Sequence, residues 1–449
     1  VFGILAASLS SGVNTVNYTL LVVPALAGAL IGAFRSFLIT ALACLVLGMM
    51  RSELSFLQSK EWWPEFARTG MRDVVPFVII VLVLFVRGHA LPIRGTLTEG
   101  RQAFAPLPRN IVPATGVLVA VGVVGIFTLD RALRLSLDQS MPAPIIVLSI
   151  VVRPGYVGQV SLAQAVFAGS GGFLLGKIGA ETAIPFPIAP LLGAFGAALL
   201  GVLVGIPALR VRGIQLAVVT MALGVAVGTM VFTNSWFIGE TGALPIEDPS
   251  FFGIDLAANA GADFNRPAFG IALLVVTALC ALAVVNLRRS HSGRQFLAVR
   301  ANEAAAAAAG VDVARTKLIA FGLSSFIAGL GGAMLAYSRG QLSGDSFSVF
   351  VSLSLLAFAY LGGIGLVSGA LIAGAIAPGG LVVGFMNEAF GGENLDTYAN
   401  LFGGIALILP AILNTDGIAG KIARDNQARR AATEPDPSTT TEPAMEAAT

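Results

Sequence analysis

Long stretches without a charged residue are the feature that most constrains this chain. A charge-free stretch of helix length can cross a bilayer, because a crossing helix needs about 20 predominantly apolar residues. A membrane β-barrel would instead alternate apolar and polar residues in segments of about ten. The sequence therefore predicts an all-α polytopic membrane protein with roughly ten to twelve membrane elements, some of them broken or re-entrant. The longer charge-free stretches are residues 1–34, 110–129, 154–176, 182–209, 213–239, 267–287, 318–338, 346–387 and 397–415.

The overall composition excludes several classes of protein. Hydrophobic residues make up 56% of the 449 residues and charged residues only 12%, whereas soluble domains carry about 25% charged residues. The net charge of +2 gives no basic surface, so a nucleic-acid partner is not expected. Cys44 and Cys280 lie inside apolar stretches, and neither His89 nor His291 has a second ligand nearby in the sequence, so no metal site is expected. We find no catalytic constellation and expect neither an enzyme nor a bound cofactor.

The charges of the connecting segments predict the orientation in the membrane. Residues 288–317 carry six Arg or Lys against Glu303 and Asp312, and residues 87–109 carry four Arg against Glu99. By the positive-inside rule both connections face the cytoplasm. Residues 240–266 and 388–396 are acidic and are placed outside. The C-terminus is then cytoplasmic, and residues 416–449, which end in a run rich in Pro, Thr, Ala and Glu, are expected to be a disordered tail.

A polar, helix-breaking segment interrupts one of the apolar stretches. Pro154, Gly155 and Gly158 disfavour a continuous helix, and Gln159, Ser161 and Gln164 follow within six residues of Gly158. Broken helices are tolerated at membrane depth only when they are buried in protein or line a cavity. Two interpretations remain open: the segment lines a substrate path, or its polar groups simply pair with a neighbouring helix.

The basic connection at 288–317 contains a second distinctive pattern. Glu303 is followed by six alanines and then by Gly310, which predicts a short helix with Glu303 in its first turn and Gly310 just beyond its end. Asn302 is a suitable N-cap. The helix presents a compact face of small residues that would fit a groove on a partner. The alternative is a solvated connector helix, because alanine-rich helices need no partner to form.

Glycine is abundant, with 53 residues, and several GxxxG pairs occur, among them Gly172/Gly176 and Gly201/Gly205. Such pairs predict close contacts between membrane helices, although a glycine-rich chain also produces them by chance. The sequence GGFLLGKI at 171–178 is similar to a phosphate-binding loop, but Ile178 replaces the hydroxyl residue that would hold magnesium. We therefore expect the chain to have no ATP site of its own.

Several of these patterns together resemble one family. The segment NEAAAAAAGVDVARTKLIAFGLSSFIAGLGGAMLAY (302–337) resembles the coupling-loop region of the inner-membrane subunits of branched-chain amino acid ABC importers. GYVGQVSLAQAVFAGSGGF (155–173) resembles a second motif of that family, and residues 212–222 and 361–375 also fit. Residues 1–95 are similar to the C-terminal end of the companion permease subunit. The resemblance implies a fusion: a permease remnant at 1–95, a cytoplasmic linker at 96–109 and a complete permease at 110–415.

The resemblance also implies a mechanism and partners. A binding protein outside would deliver the solute, and two ABC ATPase subunits inside would drive the permease between outward-open and inward-open states in a bacterial inner membrane. Ala304, Ala305 and Gly310 would belong to the ATPase-coupling helix, which Glu303 begins. Candidates for the translocation path would be Gln159, Ser161, Gln164 and Thr220. Because the coupling loop of the first permease is missing, a second permease chain remains an open possibility.

Other functions remain as alternatives. Related permeases carry sugars, nucleosides, or urea and short amides, and scattered Gln, Ser and Thr residues do not separate these solutes. An ion-coupled secondary transporter would need intramembrane carboxylates, and the predicted spans contain almost none. A membrane-embedded enzyme or scaffold lacks a catalytic constellation to support it.

Overall fold

The structure, a computed structural model, is predominantly helical. It describes residues 21–87, 111–182, 184–209, 214–239, 242–251, 253–257, 259–260, 263–264, 266–377, 380–390, 405, 408 and 416–433. The predicted linker at 96–109 and most of 391–415 lie outside the described residues.

The α-helices are, in chain order, α1 (Val22–Ile31), α2 (Phe37–Gln58), α3 (Met71–Arg87), α4 (Ile111–Thr128), α5 (Arg131–Ser140), α6 (Pro142–Ile150), α7 (Gln164–Glu181), α8 (Ile188–Ala208), α9 (Ile214–Val227), α10 (Ser235–Ile238), α11 (Pro267–Arg289), α12 (His291–Ala301), α13 (Glu303–Ala308), α14 (Val313–Arg339), α15 (Val349–Gly362), α16 (Val367–Ile376), α17 (Leu381–Phe390) and α18 (Gly417–Thr433). Two π-helices, Val151–Val157 and Gly228–Phe232, continue α6 and α9. Short 3₁₀ turns lie at Glu65–Ala67 and Gly344–Phe347.

Several helices are long and apolar enough to cross a membrane. Within the described residues six segments meet this length and composition: Phe37–Gln58, Leu133–Val157, Ile188–Ala208, Pro267–Arg289, Val313–Arg339 and Val367–Phe385. Four shorter apolar helices accompany them. Large apolar side chains on the outer faces are exposed, for example Phe37, Phe195 and Leu199, as expected where lipid replaces water. The polytopic all-α class is therefore confirmed, while the number of membrane elements stays a prediction.

The core of the molecule lies where α6, α7, α8 and α14 pack together. Close approach of α7 and α14 depends on Gly332, because a Cβ atom built there would overlap the carbonyl group of Ala168. In a membrane, small residues at a helix crossing permit the dense backbone contact that holds helices together. This crossing fixes the position of α7 and, with it, the broken segment that precedes it.

The N-terminal helices α1 to α3 pack against one another and against α9. Their shared hydrophobic cluster joins Val23, Ala27, Leu30, Leu47 and Ile80 to Val219, Ala222 and Val225. The predicted remnant thus buries an apolar face on the predicted complete permease. The division of the chain into these two units stays a prediction.

Within the described residues, three small antiparallel sheets of two strands each supplement the helices. Strand β1 (Ala243–Pro245) pairs with β6 (Gln341–Ser343), β2 (Ser250–Phe251) with β3 (Ile254–Asp255), and β4 (Asn259–Ala260) with β5 (Asp263–Phe264). The register of the first pair places Leu244 opposite Leu342. The acidic connection at 240–266 and the end of α14 therefore lie at the same end of the molecule, as the charge pattern predicts.

The prediction of a disordered tail from Asp416 is wrong for its first part. Residues Gly417–Thr433 form α18, which packs on α15 and α16. Ala419 is buried, and the carboxylate of Asp416 pairs with Arg424 at 2.7 Å. The prediction used the composition of residues 416–449 as a whole. That composition combines a helix that begins with small residues, which pack closely, and the Pro/Thr-rich run that follows it. Residues 434–449 lie outside the described part of the chain.

The search for charge-free stretches also misplaced one crossing. The candidate span Leu133–Val157 contains Arg134, Asp138 and Arg153, whereas the stretch 154–176 begins inside its last turn. Asp138 and Arg153 are buried within the protein. Charged residues in a membrane helix face the bundle interior, so a rule that allows no charge inside a crossing cannot find this one.

Candidate functional site

The predicted break in the apolar segment is present, and it begins with a π-helix. Helix α6 passes directly into the π-helix Val151–Val157, which ends at Gly158 in a left-handed conformation with φ of 76°. The chain then runs without helical structure until α7 begins at Gln164. Single π-turns inside helices occur frequently at functional sites, so this break is the first candidate region.

Hydroxyl groups from two helices and from the break itself satisfy backbone N–H groups that the break leaves unpaired. The N–H of Leu162 donates to Thr220 Oγ1 on α9 at 3.0 Å, and the N–H of Ala165 donates to Ser352 Oγ on α15 at 2.9 Å. The N–H of Ala163 donates to Ser161 Oγ at 3.2 Å. These side chains supply the partners that lipid cannot supply to an interrupted helix.

Gln164 joins α7 to two further helices through a closed set of hydrogen bonds. Its Nε2 donates to Ser324 Oγ on α14 at 3.3 Å, and that hydroxyl donates to the carbonyl of Ser149 on α6 at 3.0 Å. The hydroxyl of Ser149 divides its donation between Gln164 Oε1 at 3.2 Å and the carbonyl of Ile146 at 2.5 Å. All three side chains are almost completely buried. The start of α7 is therefore fixed to α6 and α14 by polar contacts inside an apolar core.

The four predicted path residues thus separate into two groups. Ser161, Gln164 and Thr220 are buried, and their polar groups bond to neighbouring backbone or side chains, as the pairing interpretation expects. Gln159 is also buried, but its Oε1 has no hydrogen-bond partner among the described residues.

Three hydroxyl residues that complete this arrangement were missed in the sequence: Ser149, Ser324 and Ser352. Ser149 and Ser352 lie between apolar residues, and Ser324 lies between Leu323 and Ser325. The signal that could have found them is a hydroxyl within an apolar helix, where it needs a partner.

The second candidate region is the predicted coupling helix, which forms as α13. Asn302 is its N-cap, because its Oδ1 accepts from the N–H groups of Ala304 and Ala305 at 2.9 and 3.1 Å. The carboxylate of Glu303 pairs with Lys317 on α14, with 2.7 Å between Glu303 Oε1 and Lys317 Nζ. The lysine side chain is only 4% exposed, so this ion pair fixes α13 to the first turns of a core helix.

Helix α13 ends as its sequence predicts. Ala309 is the C-cap, and Gly310 follows with φ of 83°, a left-handed conformation that glycine adopts without steric cost. The N–H of Val311 donates to the carbonyl of Ala306 at 3.0 Å. Asp312 then caps α14 by accepting from the N–H of Arg315 at 3.0 Å. The chain therefore reverses within four residues and leaves α13 as a compact corner.

The outer face of this corner is composed of exposed small residues. Ala304, Ala305 and the run 307–309 are exposed, while Ala306 packs inward. Small side chains lose little conformational entropy when they become buried. Such a surface can enter a groove on another protein at low cost, as the docking interpretation requires.

One hydrogen bond connects the two candidate regions. Nη1 of Arg300 on α12 donates to the carbonyl oxygen of Gly155 in the π-helix, and the side chain of Arg300 also lies against Gly158. Burial lowers the pKa of the Arg300 guanidinium, and the neighbouring Tyr360 opposes that change. The connection that carries α13 is therefore attached directly to the broken helix.

Asn302→Ala should loosen α13 without unfolding the protein. Loss of an N-cap costs about 1 kcal/mol, so amide hydrogen exchange at Ala304 and Ala305 should accelerate about fivefold. Exchange in α14 should not change. Asn302→Ser, which retains a capping oxygen, serves as the control and should exchange at nearly the original rate.

Neither region is suited to metal binding. Within the part of the chain that the structure describes, no group of three or more His, Cys, Asp or Glu side chains could hold a metal ion. The polar groups of the two regions are amides, hydroxyls, a guanidinium and the paired charges of Glu303 and Lys317.

Comparison with known proteins identifies relatives among transport proteins. The permease protein LivM of the high-affinity branched-chain amino acid transport system of Escherichia coli (strain K12) is 34% identical over 195 residues, which cover 39% of this chain and 45% of LivM. The chain thus matches less than half the length of that relative. The L-arabinose ABC transporter permease protein AraH of Azospirillum brasilense is 27% identical over 359 residues, 77% of this chain and 89% of AraH. The ribose import permease protein RbsC of Haemophilus influenzae is 25% identical over 227 residues, 51% of this chain and 66% of RbsC.

No solved structure matches the chain. The family described as branched-chain amino acid transport system / permease component matches residues 133–409, which include both the broken helix and α13. That match covers more than half of the chain. The chain therefore belongs to the family of permease components of branched-chain amino acid transport systems.

Proposed function

We propose that the chain is the transmembrane permease subunit of an ATP-driven ABC importer for branched-chain or related amino acids. The observation that carries the proposal is the geometry of α13: a capped alanine helix with an exposed small-residue face, held on α14 by the Glu303–Lys317 ion pair. A docking element for a separate motor needs such a face on a rigid support.

The partners in this proposal follow from what the chain lacks and what it exposes. Two ABC ATPase subunits would supply ATP hydrolysis, and at least one of them would bind the α13 corner. An extracytoplasmic binding protein would deliver the solute. The lipid bilayer would cover the apolar outer faces of helices such as α2 and α8, and a second permease chain is a further proposed partner.

The proposed location is a bacterial inner membrane with the α13 corner and the C-terminus in the cytoplasm. Six basic residues at 288–317 favour this orientation. Helix α18 packs on α15, and Tyr360 of α15 is close enough to Arg300 of α12 to influence its pKa. These contacts support placing the first turns of α18 at the same end of the molecule as the coupling connection.

The proposed translocation path passes the broken helix. In this proposal Gln159 contributes a polar group to the path, while Ser161, Gln164 and Thr220 hold the interrupted backbone in the shape that the path requires. The support is the difference in their bonding: Gln159 Oε1 has no partner within the described residues, whereas polar groups of the other three are bonded.

A neutral solute is the alternative with the best independent support. AraH is named for L-arabinose and RbsC for ribose, and LivM is named for branched-chain amino acids. Urea, short amides and nucleosides are further polar cargoes of the same kind. The charge-free sequences of the spans do not distinguish among these solutes.

Transport measurements on the intact complex test the proposal. The tagged full-length chain is purified from its native membrane with the subunits that accompany it and is reconstituted in vesicles. Uptake of labelled L-leucine, L-arabinose and urea is then measured with and without ATP. We expect ATP-dependent uptake of L-leucine. Uptake that needs an ion gradient and ignores ATP would contradict the importer.

Asp138 provides a sharper test against ion coupling. Its carboxylate is 4% exposed within the candidate span Leu133–Val157, and its Oδ1 has no hydrogen-bond partner among the described residues. An ion-coupled transporter would use such a group. For an ATP-driven importer, Asp138→Asn should leave ATP-dependent uptake within about twofold of the original rate. Gradient-dependent uptake in the original protein that is lost in Asp138→Asn would favour the secondary transporter.

A further inference from the structure

Arg153 is a buried positive charge that the fold does not pair. It lies in the π-helix Val151–Val157, its exposed fraction is 0%, and it belongs to the candidate span Leu133–Val157. None of its three guanidinium nitrogens has a hydrogen-bond partner among the described residues. Arginine remains protonated in proteins and presents five N–H donors, so this side chain is a charged group without its usual partners.

Aromatic rings replace the missing partners in the present conformation. The guanidinium carbon of Arg153 lies 3.5 Å from the ring centre of Phe321 on α14 and 5.9 Å from that of Phe167 on α7. A cation–π contact attracts the guanidinium but leaves its N–H donors unbonded, and it offsets only part of the cost of removing a charge from water. A structural role alone would be filled more favourably by an apolar side chain of the same length.

A second unpartnered atom belongs to the same segment. Gln159 Oε1 is buried and has no hydrogen-bond partner within the described chain, and the N–H of Gln159 donates to the carbonyl of Arg153 at 3.4 Å. The nearby polar residues Gln164 and Ser161 are bonded. The unsatisfied groups of this segment are therefore a set of cationic donors and one amide acceptor, which complement a carboxylate and an ammonium group.

An apolar cavity lies beyond Phe167 as seen from Arg153, and Arg153 itself does not line it. Phe167 belongs to a hydrophobic cluster with Val204 and Leu223, and both of these residues line a cavity of about 740 Å³ between α3, α8 and α9. The lining of that cavity is apolar. The ring of Phe167 is thus in contact range of the guanidinium and belongs to the cluster that borders the cavity.

We propose that Arg153 binds the carboxylate of the transported solute when the rings of Phe167 and Phe321 separate, and that Gln159 accepts a hydrogen bond from its ammonium group. The cargo is then an amino acid with an apolar side chain and not a neutral sugar or amide. This inference rests on the proposed function of the chain as an importer permease. It adds the recognition of charge by one residue of the membrane domain.

Two measurements test this inference on the complete complex. The first is the thermal unfolding of the purified complex with L-leucine or with leucinol, which has the same side chain and amine but no carboxylate. The second is ATP-dependent uptake in vesicles. Arg153→Met removes the charge at nearly constant length, Arg153→Lys retains the charge without the planar fork, and Arg68→Met changes an exposed arginine as the matched control.

We expect L-leucine, but not leucinol, to raise the unfolding temperature of the original protein. Arg153→Met should abolish this shift and lower leucine uptake at least tenfold, while its unfolding temperature without ligand should be unchanged or higher. Arg153→Lys should recover part of the uptake, and Arg68→Met should behave as the original protein.

Several outcomes would overturn the inference. They are leucine uptake within twofold of the original rate in Arg153→Met, equal stabilisation by leucinol, no stabilisation by leucine, or ATP-dependent uptake of arabinose alone. In the last case the importer function stands and only the cargo assignment fails. A loss of stability in Arg153→Met without ligand would instead assign Arg153 a structural role. Absence of ATP-dependent uptake of every solute would refute the importer function itself.

Discussion

Glu303→Arg is expected to reduce ATP-coupled uptake by about 100-fold, because it leaves a buried lysine without its partner, which costs about 3 kcal/mol or more. Lys317 is almost completely buried and pairs with Glu303 at 2.7 Å. The substitution leaves this lysine uncompensated and adds a second positive charge beside it. The corner formed by α13 should then separate from α14, and force from a bound ATPase would no longer reach the core. Uptake and solute-stimulated ATP hydrolysis in vesicles are the measurements.

A charge exchange separates this effect from general damage. The double variant Glu303→Lys with Lys317→Glu restores opposite charges and should recover part of the uptake, although the buried member changes sign. Asp425→Arg introduces the same charge change at an exposed position on α18 and should have little effect. Normal uptake in Glu303→Arg, or equal loss in Asp425→Arg, would contradict the role assigned to α13.

Gly332→Ala should destabilise the whole membrane domain. Its new Cβ atom would overlap the carbonyl group of Ala168 and lie 2.7 Å from the Cα atom of that residue. Both helices are central to the core, so neither can move aside without disturbing α6 and α8. Overpacking a core costs about 1–3 kcal/mol, and backbone overlap places this variant at about the upper end of that range. Thermal unfolding in detergent and the yield of monodisperse protein measure the effect.

Gly48→Ala is the matched control for this prediction. Gly48 lies inside α2, and a Cβ atom there meets no heavy atom within 4 Å. Because glycine in a helix interior is less favourable than alanine by about 0.5–1 kcal/mol, the control should be neutral or slightly stabilising. Comparable loss of stability in both variants would mean that the crossing of α7 and α14 is not as close as described.

Much of the architecture follows from the sequence through simple physical rules. The helix break after Gly158 was predictable because proline and glycine there conflict with helical geometry, and the cap, length and end of α13 were predictable from Asn302, the alanine run and Gly310. These features depend on local interactions. GxxxG pairs predicted close helix contacts in general. The closest crossing, however, uses Gly332, and its position depends on which helices meet in the fold.

The remaining features could not be predicted because they depend on burial by distant parts of the chain. Arg153 and Asp138 lie inside a candidate span, where a charged side chain is stable only in the interior of the bundle. The partner of Glu303 is Lys317, fourteen positions away, and the contribution of Ser324 appears only when α14 packs beside α7. The order of α18 similarly depends on its contacts with α15 and α16 rather than on its own composition.

The hydrogen bond from Arg300 to Gly155 has a consequence for how a motor outside the bilayer could control a solute inside it. Gly155 lies two residues after Arg153 in the same π-helix, so a displacement of α12 would pull on the backbone that carries the buried guanidinium. A movement at the cytoplasmic surface would then be transmitted through less than one helical turn to Arg153. The guanidinium of this residue lies against the rings of Phe167 and Phe321. A conformational change of a bound ATPase and the release of the solute would then be coupled through this one short segment.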